Sequence, residues 1–84
     1  MSTVRKVTAE IAELRTRITA SYPRLSEDFE RKVAAINVAF QEEYADAEKI
    51  PPETLLKPRA QFLFDELMGW VQRNLKQNKK INNL

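Results

Sequence analysis

Glu42, Glu43 and Asp46 are the one grouping in this sequence whose residue types could do ligand chemistry, because clustered carboxylate oxygens can hold Mg²⁺ or Ca²⁺. Other reactive arrangements are ruled out by composition. The chain has no histidine and no cysteine, so neither a Ser/His/Asp nor a Cys/His nucleophile can be assembled, and zinc lacks its usual ligands. A single glycine excludes the phosphate-cradling loops of nucleotide-binding folds. Acidic clusters on charged helices are ordinarily solvated or ion-paired faces. The expectation is therefore a non-enzymatic chain with no metal, no cofactor and no small-molecule substrate.

A second chemistry is suggested by Arg73, Lys76 and Lys80, with Lys79 nearby, which project from the outer face of the last helical stretch. Such a row could follow a phosphate backbone. Cations near a helix C-terminus also suit the helix dipole, and no aromatic interleaves with these residues to stack on bases. A net charge of only +2, with charged residues at 31% of the chain, describes an ordinary solvated surface. Nucleic-acid binding through this face is the alternative reading, behind binding to protein.

The elements that must position these groups are helices. Prolines at 23, 51, 52 and 58 cut the 84 residues into three long stretches, each with helical periodicity. Val4, Val7, Ile11, Leu14 and Ile18 alternate steps of three and four, a heptad-type seam on a helix expected over 3–21. Ser26 is the expected N-cap of a second helix over 27–49, whose stripe is Phe29, Val33, Ile36, Phe40, Tyr44 and Ala47. A smaller face opposite carries Ala34, Val38 and Ala45, as though this helix touched two neighbours. Residues 53–57 allow one helical turn before Pro58 opens a third helix over 58–78, followed by a frayed polar tail over 79–84. The third helix carries a broad apolar arc of Ala60, Leu63, Phe64, Leu67, Met68, Val71 and Leu75. Trp70 lies at its edge, and Phe62 and Gly69 lie outside it. The expected core is Phe29, Val33, Ile36, Phe40, Leu63, Leu67 and Val71.

These elements predict an all-α, elongated three-helix bundle forming a single domain, with the first two helices as an antiparallel hairpin. Charge supports the hairpin. Residues 1–25, 26–49 and 50–84 carry +3, −4 and +3. Arg5 and Lys6 at the start of the first helix oppose the helix dipole, as do the acids closing the second. An antiparallel hairpin predicts that Arg5 or Lys6 lies near Glu43, Asp46 or Glu48.

A chain this short buries only about 60–65% of its unfolded surface, and without disulfide or zinc it gains most from a partner. A coiled-coil-like homodimer is therefore expected. The candidate contacts are Val4, Val7, Ile11, Leu14 and Ile18, or Phe62 and Trp70. The chain opens with no apolar leader and has no apolar stretch near the roughly 20 residues that cross a bilayer, so a cytoplasmic protein with no membrane partner is expected. These features together predict a helical protein–protein interaction module: an adaptor, an inhibitor or an assembly subunit.

Overall fold

A computed structural model describes the backbone of residues 2–44, 46 and 49–82, and side-chain surroundings as far as residue 75. Helix α1 runs over Val4–Ser21, opened by Thr3, whose hydroxyl accepts the Lys6 N–H at 3.2 Å. Its end is local: the Tyr22 N–H returns to the Ile18 carbonyl, and Pro23 starts a 3-10 turn over Pro23–Leu25. That turn runs directly into α2, Ser26–Glu43, because Leu25 already has near-helical dihedrals. Ser26 is consequently the first helical residue and not the cap that the sequence suggests. Glu27 and Asp28 in the first turn suit the positive end of the dipole. Helix α3 runs over Pro58–Asn82, longer than predicted, since no proline or glycine follows Gly69 to stop it. Its backbone is helical through 79–82, where fraying was expected.

Helix α2 ends at Glu43, short of the predicted Lys49. Tyr44 turns extended, and its hydroxyl accepts the Lys57 N–H at 3.0 Å while donating to the Leu55 carbonyl at 3.1 Å. The reason for stopping there is tertiary. Pro58 has no N–H, and the next two donors of α3, Arg59 and Ala60, are accepted by the Glu43 carboxylate at 3.3 and 2.8 Å. A carboxylate from one helix thus caps the next, which offsets its poor fit to the negative end of its own helix. Glu42 meets the Arg59 guanidinium at 3.0 Å.

The connector is extended where a helical turn was predicted. Leu55 bridges Thr3 in antiparallel fashion. The Val4 and Arg5 N–H groups, unmatched within α1, are accepted by the Thr54 and Pro52 carbonyls, each at 2.9 Å. This pairing presses Leu56 into the core. It also buries Ser2, whose N–H is accepted by Gln61 Oε1 at 2.9 Å.

Three helices therefore run up, down and up. Arg15 of α1 grips Glu30 of α2 through two hydrogen bonds of 2.7 and 2.8 Å, fixing the antiparallel hairpin. The Arg15 hydrogen bond holds the Glu30 carboxyl below its ordinary range, against a smaller opposing effect of burial. Antiparallel register between α2 and α3 is fixed at both ends, by Glu42 and Glu43 against Arg59 and Ala60, and by Lys32 against Trp70. One core joins Val7, Ile11, Leu14 and Ile18 to Phe29, Val33, Ile36 and Ala39, and both to Ala60, Phe64, Leu67, Val71 and Leu75. Phe40 and Leu63, expected inside, pack at its margin half-buried. The result is a rod of 48 × 21 × 17 Å. No helix among the described residues is long and apolar enough to cross a membrane.

Candidate protein interface

Two of the three carboxylates in the acidic cluster have a structural occupation. Glu43 caps α3, Glu42 pairs with Arg59, and the Asp46 carbonyl accepts the Lys49 N–H. Among the described residues no three acidic groups stand close enough to hold a metal ion. Arg5 pairs with Glu53 at 2.8 Å, and the cap formed by Glu43 compensates the acidic helix end from α3. Among the described residues no ion pair joins Arg5 or Lys6 to Glu43 or Asp46; Ala45, Ala47 and Glu48 lie outside the described residues.

The seam of α1 is closed to association from Val7 to Ile18. Val7, Ile11, Leu14 and Ile18 are buried in the chain's own core, and Val4 packs half-buried against it. The heptad spacing is satisfied by intramolecular packing, so Val7, Ile11, Leu14 and Ile18 are not available to a second copy; Val4 keeps an open edge that lines a shallow recess with Thr8, Ala9, Ala12 and Pro52. Helix α2 does touch two neighbours, α1 and α3, but through Phe29, Val33, Ile36 and Ala39; Ala34 and Val38 on the smaller face are exposed, Val38 at 49%.

Apolar surface remains open where α2 and α3 lie side by side. Asp28, Arg31, Lys32 and Ala35 line one wall of a groove of about 510 Å³, and Leu63, Glu66, Leu67 and Trp70 line the other. Each set follows the same i, i+3, i+4, i+7 spacing, which puts four side chains on one stripe of each helix. No residue of α1 lines this groove. Ala35 keeps it wide, with Leu63 half-buried and Leu67 fully buried beneath. Phe62, one turn before Glu66 on the outer side of α3, is 60% exposed.

Trp70 is the largest side chain lining this groove. It is half-buried, and the Lys32 ammonium sits 5.5 Å from its ring centroid, covering one face of the indole. A large aromatic, held by its own fold and partly open to solvent, matches the residues on which protein interfaces concentrate their energy. The charges around it are unevenly engaged. Arg31 is taken up by Glu27 and Asp28 on its own helix, at 2.8 and 3.6 Å. Lys32, Glu66 and Arg73 have no ion-pair partner among the described residues.

Of the basic row on α3, Arg73 is exposed on the outer face, while the side chains of Lys76, Lys79 and Lys80 lie outside the described residues. The α2 wall of the groove went unforeseen. Its signal is the spacing of Asp28, Arg31, Lys32 and Ala35, a stripe too polar to register in a search for apolar faces. Comparison with protein-family models, with curated proteins and with solved structures finds no match to this chain.

Proposed function

We propose that this chain is a non-enzymatic helical interaction module, working as an adaptor, inhibitor or assembly subunit, which receives a protein partner on the α2–α3 face. One observation carries the reading: Trp70 stands half-buried at the rim of an open groove floored by Leu63 and Leu67. Contiguous apolar surface rimmed by charge is what a docking site presents in its unbound state. The nucleic-acid reading rests on Arg73 alone among the described side chains.

A paired capture experiment tests this. The tagged wild-type chain and its Trp70→Ala variant are each presented to the native extract and to untagged copies of the chain. The expected result is a protein retained by the wild type and lost with the variant, with retention that survives moderate salt. Equal retention by both baits would remove Trp70 from the interface and defeat the proposal. Retention of nucleic acid that collapses steeply with salt would favour the phosphate-binding alternative.

A further inference from the structure

Gly69 has no explanation among the described residues. It sits in the middle of α3 with an ordinary negative φ, where glycine weakens a helix by about 1 kcal/mol relative to alanine. A methyl group added there would meet only the Arg73 guanidinium, at 3.3 Å, which is the movable end of a flexible side chain. Among the described residues no neighbouring helix requires the glycine. What a glycine on an outward helix face does permit is close approach by a second backbone.

The residues around it specify which backbone. Phe62, Glu66, Gly69 and Arg73 follow one another at steps of four, three and four, forming a single stripe on the outer side of α3. Glu66 and Arg73 are seven residues apart, roughly 10 Å along the helix at 1.5 Å per residue, too far to pair within one chain. Neither has an ion-pair partner among the described residues. Their midpoint falls at Gly69 and Trp70. A two-fold axis through that midpoint, perpendicular to the helix, brings Glu66 of one copy level with Arg73 of another and the reverse, making two opposite-charge pairs from one self-complementary stripe.

We infer that the partner on this face is a second copy of the chain, with the two α3 helices antiparallel, crossing closely at Gly69 and exchanging Glu66–Arg73 pairs on either side. The two Trp70 side chains flank the axis and close over the groove margins. This rests on the reading of Trp70 as a docking residue at the rim of the α2–α3 groove, and adds an occupant and its geometry on the outer stripe of α3 that adjoins that rim. It also gives the glycine a role: alanine there favours the single helix and obstructs the pair.

Sedimentation equilibrium on four chains tests it. The wild type is expected to pass from 9.8 kDa toward twice that mass with rising concentration. Glu66→Arg and Arg73→Glu each replace two attractions by two repulsions, and each is expected to weaken the dimer by roughly tenfold or more. Mixed in equal amounts, these two variants restore both attractions in a heterodimer, so the mixture is expected to associate where neither variant does alone. Gly69→Ala is expected to raise the melting temperature by a few degrees while weakening association by roughly tenfold. A wild type that stays at 9.8 kDa overturns the second copy as occupant. If the paired capture still depends on Trp70 in that case, the docking face stands and only its occupant changes. A wild-type dimer that both charge reversals leave intact, or a mixture with no preference for the heterodimer, overturns the geometry. So does Gly69→Ala associating as well as the wild type.

Discussion

Replacing Glu43 by alanine removes the carboxylate that caps α3, and the cost can be worked from the two N–H groups it accepts. The Ala60 donor, at 2.8 Å, belongs to a fully buried residue, so water can replace its acceptor only in part, whereas the Arg59 donor, at 3.3 Å, is exposed and recovers a water. A lost side-chain cap at a helix N-terminus costs about 0.5–2 kcal/mol, and a partly buried charged acceptor belongs in the upper half of that range. For a domain of this size each kcal/mol moves the melting temperature by about 4–8 °C, so Glu43→Ala should melt roughly 5–15 °C below the wild type. Glu43→Gln keeps an acceptor but not the charge, and should fall between the two. Glu42→Ala is the control, because it removes only an exposed ion pair with Arg59, worth about 0–1 kcal/mol. Thermal melts followed by circular dichroism give the ranking. A Glu43→Ala variant that melts with the wild type, or no lower than Glu42→Ala, would refute the argument that this carboxylate ends one helix in order to start the next.

Ile36→Ala or Leu67→Ala empties a fully buried position and should cost about 2–5 kcal/mol, a large part of the stability of so small a domain, as read by chemical denaturation; no loss would mean the core is misassigned. Tyr44→Phe removes the hydroxyl that joins the connector's Leu55 carbonyl to the Lys57 N–H, and should lower stability by about 0.5–1.5 kcal/mol with helix content unchanged. Glu30 has a folded-state pKa below its unfolded one, so its stabilisation is complete above the unfolded value and is lost as pH falls through the folded value. Both partners are about half exposed and screened by solvent, so Glu30→Gln should remove at most about 1 kcal/mol at neutral pH and flatten the acid limb of the stability curve; an unchanged limb would contradict the pairing with Arg15.

Much of the fold was legible because local rules and tertiary demands agree in α1 and α3. The seam from Val4 to Ile18 and the arc from Ala60 to Leu75 face the core as their spacing predicts, and Pro58 opens its helix as a first-turn proline should. The failures lie where a tertiary contact overrides a local signal. The residues after Glu43 read as helix, yet the chain turns at Tyr44 because the α3 donors need the Glu43 carboxylate. Leu56 and Ser2 sit among turn-forming residues, and only the pairing of Thr3 with Leu55 makes them interior. At the candidate interface, Trp70 and Phe62 were legible as aromatics beside or outside the apolar arc. The Glu66–Gly69–Arg73 stripe was not, because nothing in the sequence shows that Glu66 and Arg73 lack an ion-pair partner among the described residues. The heptad seam of α1 misleads for the complementary reason: the same spacing serves a core and a dimer equally well.

The chain holds one tryptophan, and it stands at the proposed contact, so acrylamide quenching of Trp70 fluorescence read against protein concentration tests the docking face most directly. The expected result is a quenching constant that falls, with a blue shift in emission, over the same concentration range in which the sedimentation mass doubles, and that stays high throughout in the equally folded Glu66→Arg variant. Quenching that remains constant while the mass doubles would place the association on another surface and contradict the assignment of the α2–α3 face.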